Sequence, residues 1–353
     1  MPTAIVTGSS GLIGSEAVYF LGQRDWKIHG IDNNMRRDFF GDSGDTRWNL
    51  ERLIRDVPSF EHHGIDIRDR EAIARIFQEV RPDLIFHCAA QPSHDLAASR
   101  PFDDFEINAV ATLNLLQATR VSCPGSPFVF MSTNKVYGDA PNELSFVELE
   151  SRWDYANARD REGISENCRI DKTTHSLFGV SKAAADLLVQ EYGRYYDMPT
   201  VCFRGGCLTG PKHSGAELHG FLAYLAKAVV EQRTYRIFGY LGKQVRDNIH
   251  SHDVCTAMLA YAEAPKPGAV YNLGGGRANS LSLLEAKDAL ERITGKQLNT
   301  VYVESPRRGD HICYISDMSR FRRDYPRWEV TVRLDQMLDQ LAEAALARER
   351  DAR

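Results

Sequence analysis

The stretch Gly8-Ser9-Ser10-Gly11-Leu12-Ile13-Gly14 lies between the apolar run Thr3 to Val6 and a helical pattern carried by Ala17, Phe20 and Leu21. A chain that turns sharply, approaches a pyrophosphate closely and packs a helix on a strand needs glycine at each of those points. The helix start then presents free N–H groups to the phosphates. No Gly-Lys-Ser or Gly-Lys-Thr follows, so the stretch is not a nucleoside-triphosphate loop. Asp32 ends the second apolar run, Ile28 to Ile31. It falls roughly 20 residues past the turn, where a carboxylate accepts ribose hydroxyls and repels a 2′-phosphate. The expected cofactor is therefore NAD, with Arg36 and Arg37 the nearby cations that would favour NADP instead.

Working outward, the pattern alternates. Ile73, Ile76, Phe77 and Val80 follow helical spacing behind a candidate cap at Asp69, and Pro82 stops that helix. Leu84 to Cys88 and Phe128 to Met131 are continuous apolar runs, with Val110, Leu113 and Leu116 marking a helix between them. Uninterrupted apolar strands separated by helices predict an α/β, doubly wound parallel sheet covered on both faces. Residues 141–172 read as an inserted polar loop, followed by a helix from Ser181 to about Tyr196 and a strand from Thr200 to Phe203. Helices over Leu218 to Val230 and Ser282 to Ile293 belong to a smaller, later lobe. The expected division is a Rossmann domain over 1–200 with a returning segment around 240–275. A C-terminal α/β lobe takes 201–239 and 276–345, and 346–353 forms a frayed, solvated tail.

The chain has 353 residues, 43% hydrophobic and 26% charged, with a net charge of -5. That is too apolar for disorder and too acidic for a nucleic-acid binder. No run approaches the ~18 apolar residues of a membrane span, and the opening residues lead to the expectation of no secretory signal. Its seven cysteines never form a Cys-x-x-Cys pair, which fits reduced thiols in a cytoplasm. His213 and His219 share no helix face, so no metal site is expected there.

Four further segments carry a resemblance: His87-Cys88-Ala89-Ala90, Ser132-Thr133-Asn134-Lys135-Val136-Tyr137-Gly138, Ser181-Lys182 and Gln244-Val245-Arg246-Asp247. With the glycine-rich turn they resemble an extended short-chain dehydrogenase/reductase, and most closely the CDP-tyvelose (CDP-paratose) 2-epimerases. Asp104-Phe105-Glu106-Ile107-Asn108 and Asn279-Ser280-Leu281-Ser282 extend the likeness over nearly the whole chain. The resemblance implies an NAD-dependent epimerase that oxidises a sugar carbon and returns the hydride to the opposite face. Its substrate would be a nucleotide-diphosphate sugar and its assembly a homodimer.

The expected cofactor contacts are Gly8, Gly11, Leu12, Ile13 and Gly14, then Asp32 and Asn33, then Asp66 and Ile67 after the third strand. Ala89, Ala90 and Gln91 follow the fourth strand, small where a dinucleotide must pass, and the family's helix asparagine, a brace for the sheet, maps to Asn108. On the substrate side the resemblance implies Asn134, Lys135, His94 and the diphosphate-binding arginines Arg246 and Arg308.

Oxidising an alcohol requires a base for the hydroxyl proton. The wider family uses Tyr-x-x-x-Lys with a Ser or Thr hydroxyl, the lysine ammonium lowering the phenol pKa. Thr133 and Lys182 match two of these positions, and Lys182 would also hold the nicotinamide ribose. The third position is Phe178, whose ring accepts no proton. Three readings stay open: a substituted tyrosine, a base moved elsewhere, or a protein that binds without redox chemistry. Tyr137 is the first candidate for a moved base, ahead of Lys135, His175 and Cys207. A nucleotide-sugar dehydratase is the alternative enzyme. Those relatives place an Asp-Glu pair after the threonine, where this chain has Asn134-Lys135.

Overall fold

The computed structural model describes residues 1–215, 220–307 and 309–351. Seven parallel strands form the main sheet, in the order Ala269–Leu273, Thr200–Gly205, Phe128–Thr133, Leu84–His87, Thr3–Thr7, Lys27–Ile31, Phe60–His63. The winding direction reverses between Thr3–Thr7 and Leu84–His87, which pair in register from Ala4 beside Leu84 to Thr7 beside His87. A reversal of this kind opens a crevice at the carboxyl ends of the strands.

Two apolar layers explain why the strands carry no polar alternation. Ala17, Leu21, Val254 and Met258 cover one face; Ile73, Phe77, Leu115 and Val189 cover the other. Phe128, Val129 and Phe130 are fully buried between them. Each such side chain contributes about 1.5–3 kcal/mol by leaving water. Asp69 caps its helix as expected, accepting from the backbone N–H groups of Glu71 and Ala72 at 3.1 and 3.0 Å. His87 is packed between Thr7 and Thr112, with ring nitrogens 2.7 and 2.9 Å from their hydroxyls.

The smaller lobe pairs Val245–His250 with Ser280–Ser282, Cys313–Tyr314 and Cys207–Thr209. A second ladder joins Tyr235–Phe238 to Thr300–Val303. Helices Phe221–Val230, Leu283–Thr294 and Leu334–Asp351 pack together through Leu225, Ala286 and Leu341.

Several boundaries differ from the sequence expectation. The returning segment is narrower than 240–275, because Val245–His250 belongs to the lobe while Ser251–Glu263 and Ala269–Leu273 complete the main domain. Thr200–Gly205 is a strand of the main sheet, and Phe321 also returns, packing edge-on against Phe203 at 5.4 Å. Residues 141–172 contain a small hairpin, Phe146–Glu148 with Trp153–Tyr155, whose aromatic side chains bury against the lobe. The terminal helix continues to Asp351; Arg348 donates to the carbonyls of Pro211 and His213 at 2.8 and 3.1 Å, contacts a frayed tail would lack. Helix Leu177–Tyr196 starts a turn earlier than expected, because Ser176 caps it by accepting from Gly179 N. That earlier start places Phe178 and Lys182 one turn apart on one helix.

Candidate active site

A cavity of about 500 Å³ opens at the sheet's winding reversal and runs into the smaller lobe. Gly8, Gly11, Leu12, Ile13 and Gly14 line one end. Gly8 has φ +66, and a Cβ on it would stand 2.8 Å from Ala89 N. A Cβ on Gly14 would stand 2.0 Å from Gly8 O. The helix Leu12–Gly22 has Gly11 at its cap and no side-chain capping bond, so its first N–H groups are left for an anion in the cavity. Asp32 is held by Ser10 N at 2.9 Å and Asn34 N at 2.8 Å. It is only half-buried, so its remaining lone pairs are available to ribose hydroxyls. Asn33 and Ile67 border the same region, and Asp66 does so while paired with Arg68 at 2.8 Å.

Ala89 and Ala90 floor the passage toward the second end. Gln91 and Asn108 do not border it: both are buried behind it in a bracing network. Asn108 Oδ1 accepts from Gln91 N at 3.0 Å, Asn108 Nδ2 donates to Asp104 and Ser181, and the Gln91 amide donates to Asp104 at 2.8 Å. Their expected place as cofactor contacts is corrected to that of loop supports.

Thr133, Asn134, Lys135, Phe178 and Lys182 meet at the middle of the cavity. Lys182 Nζ donates to Met131 O at 2.7 Å and lies 4.1 Å from the Phe130 ring centre. Burial pulls its pKa down to about 8 against the opposing charge of Asp186. Phe178 meets the His94 ring edge-on at 5.1 Å, and His94 Nδ1 lies 2.6 Å from Ser176 Oγ. Tyr137, the first candidate for a moved base, is not among the lining residues. Its hydroxyl donates to Asn272 Oδ1 at 2.7 Å and accepts from Arg204 Nη1 at 3.2 Å in a fully buried pocket. Burial pushes that phenol up rather than down.

On the lobe side, Arg246 borders the cavity but is paired with Asp310, and it donates to Val245 O at 2.6 Å. Burial would raise Asp310; the charges of Arg246 and Lys135 outweigh it and hold the carboxyl at about 2. Arg308 lies outside the described residues, as does His219; Arg307 beside it does line the cavity. The sequence reading missed four aromatic side chains that line the cavity, Phe221, Tyr224, Tyr235 and Phe238, with the Tyr224 and Tyr235 rings meeting at 5.7 Å. No periodicity marks them, because a helix and a separate strand supply them. Arg36 was noted only as a charge; it donates to Ser214 O at 2.7 Å and ties the lobe to the Asp32 end of the cavity.

Residues 4–274 match the NAD dependent epimerase/dehydratase family. The chain belongs to that family. It is 32% identical over 294 residues to CDP-paratose 2-epimerase of Salmonella typhi, covering 81% of this chain and 83% of that protein. It is 28% identical over 335 residues to dTDP-glucose 4,6-dehydratase 1 of Escherichia coli K12, covering 91% and 83%. Among solved structures, a Thermus thermophilus UDP-glucose 4-epimerase in complex with NAD superposes with a TM-score of 0.77 at 24% identity, covering 97% of this chain and 98% of that one. The cofactor is NAD, and the glycine cradle and Asp32 fit it. No described helix is long and apolar enough to cross a membrane.

Proposed function

We propose that the protein is a nucleotide-sugar epimerase acting at C2 of a CDP-linked sugar. The observation that carries this reading is the pair that follows Thr133. Asn134 and Lys135 both line the cavity where a dehydratase would need a carboxylic acid and a carboxylate. Elimination of water needs a proton donor at the leaving hydroxyl together with a separate base, and of this pair only Lys135 can exchange a proton, since the Asn134 amide supplies neither. The similarity to the Salmonella typhi enzyme supports the same choice.

Bound NAD supplies a hydride acceptor that is restored when the hydride returns, so the reaction is redox-neutral. The chain's own residues bind and orient. The glycine turn and Asp32 hold the adenosine half, and Lys182, pinned to Met131 O, meets the nicotinamide ribose. Thr133 Oγ1 accepts from Lys135 N at 3.2 Å and makes a long 3.4 Å donation to Asn134 Oδ1, a bond that the hydroxyl exchanges for the sugar oxygen when substrate binds. Arg246 and Arg307 face the diphosphate, and the aromatic side chains of the lobe take the base. Helices Ala111–Ser122 and Leu177–Tyr196 expose Val121, Leu187 and Tyr195, a surface that suits a homodimer; light scattering tests that state.

The reaction is tested by incubating protein and NAD with CDP-, dTDP- and UDP-sugars in deuterated water, followed by NMR and by absorbance of reduced cofactor. A C2 epimer with transient reduced cofactor is expected. A deoxy-keto product would instead make the protein a dehydratase. Binding without turnover, by Phe178→Tyr protein as well, would make it a nucleotide-sugar binder.

A further inference from the structure

We propose that Lys135 is the proton acceptor that takes over from the phenol missing at position 178. This rests on the epimerase reading above and names the group that makes it work without a tyrosine.

The local geometry brings Lys135 to Phe178. Thr133 Oγ1 accepts from Lys135 N, which winds the chain into the short turn Asn134–Tyr137 directly after the central strand. A Cβ on Gly179, the residue after Phe178, would stand 2.8 Å from Lys135 O, so the backbone of that turn is packed against the start of the Phe178 helix. The Lys135 ammonium then crosses the cavity and donates to Gly309 O at 2.8 Å. Gly309 in turn lies against His94, whose ring meets the edge of Phe178. The nitrogen is thus in the wall that closes around the Phe178 ring. A neutral carbonyl is its one hydrogen-bond partner among the described residues, leaving two further positions on nitrogen for a sugar hydroxyl.

The other titratable groups nearby are unsuited. Tyr137 is sealed between Asn272 and Arg204. The nitrogens of His175 lie 3.2 and 2.8 Å from the carbonyls of Thr173 and Val136. Burial lowers His94 to about 3 and raises the Cys207 thiol to about 11, a weak base and a rarely ionised acid at neutral pH. Asp310 is bound to Arg246, and Lys182 is taken up by the nicotinamide ribose in the reading above. Burial brings Lys135 down to about 8, so a useful fraction is the free amine in weakly alkaline solution.

The step balances. The sugar O–H breaks and its proton joins the Lys135 lone pair while the carbonyl forms; the C–H electron pair leaves as hydride to oxidised NAD. On return, hydride adds to the other face and the ammonium gives its proton to the new alkoxide.

The test compares the natural protein, Lys135→Met, Phe178→Tyr and the double variant, with NAD content and nucleotide-sugar affinity measured by calorimetry beside kcat, KM and pH profiles. Lys135→Met should lower kcat by about 100-fold or more, the usual contribution of a positioned base, with binding of both ligands retained. The natural protein's kcat/KM should rise with pH through about 8. Adding Phe178→Tyr to Lys135→Met should restore turnover. An unchanged kcat in Lys135→Met, a loss confined to KM, or an inactive natural protein made active by Phe178→Tyr alone would each overturn the assignment. Failure of both the natural and the Phe178→Tyr protein to turn over any nucleotide sugar would instead remove the epimerase reading beneath it.

Discussion

Phe178 and Lys182 stand one turn apart on the helix Leu177–Tyr196 and both border the cavity, and Lys182 Nζ donates to Met131 O of the central strand at 2.7 Å. The lysine is therefore in place without the phenol it would ordinarily activate. On the function proposed above, its remaining task is to hold the cofactor. Lys182→Ala should strip copurified NAD from the protein and lower turnover by about 100-fold or more. Cofactor content by absorbance after denaturation checks the first effect, and steady-state kinetics the second. Full NAD occupancy in the variant would refute the role.

Tyr137 gives an opposite expectation. Its hydroxyl serves Asn272 and Arg204 in the core, away from the cavity. Tyr137→Phe should lower the unfolding free energy by roughly 1–3 kcal/mol, since buried partners are left unsatisfied, and should change kcat by less than about threefold. Urea unfolding and kinetics on one preparation measure both. A large fall in kcat with unchanged stability would restore this tyrosine as the base.

Asp32 accepts from Ser10 N and Asn34 N and keeps lone pairs for the ribose. Asp32→Ala should weaken NAD binding roughly 10- to 100-fold, the value of one charge-assisted hydrogen bond of about 1.5–3 kcal/mol. Removing the carboxylate also removes the repulsion against a 2′-phosphate while Arg36 stays close. The NADP-to-NAD affinity ratio should rise, which fluorescence titration with both dinucleotides would read. An unchanged ratio would count against this placement of the ribose.

Asp247 carries a pH signature. It is fully buried, and its Oδ2 accepts from Ser316 N and Gly276 N, both at 3.1 Å. Burial outweighs those bonds and pushes its pKa up to about 6 from an ordinary 3.8. The folded chain thus binds this proton more tightly than the unfolded chain does. The associated stability is fully present below pH ~4 and is lost as pH rises through 6. Asp247→Asn cannot titrate, so relative to it the natural protein should lose on the order of 2–3 kcal/mol between pH 4 and pH 7. Parallel unfolding curves at the two pH values would show it; equal pH dependence in both proteins would contradict it.

Much of the architecture was legible because its signals are local. The glycines of the first turn, the apolar strands and the Asp69 cap each report a demand felt within a few residues. Asp32 was legible for the same reason, standing at the end of the strand that follows. Gln91 was placed one layer too near the cofactor, since a sequence gives its position beside the passage but not which way its amide turns, whereas Asn108 braces the loop as read, without bordering the passage. Tyr137 was misplaced for a related reason. It follows Lys135 in a short turn, and only the packed chain sends one side chain into the cavity and the other into the core.

The residues alone dictated a doubly wound sheet, a dinucleotide turn and an absent phenol, because backbone geometry and side-chain chemistry impose these wherever the chain goes. Tertiary packing decided the rest: that Lys135 reaches Gly309, that Arg246 pairs with Asp310, and that four aromatic side chains from separate elements line one cavity. Those partners lie far apart along the chain. No repeat spacing encodes their meeting, which arises only when the lobe closes on the open ends of the strands.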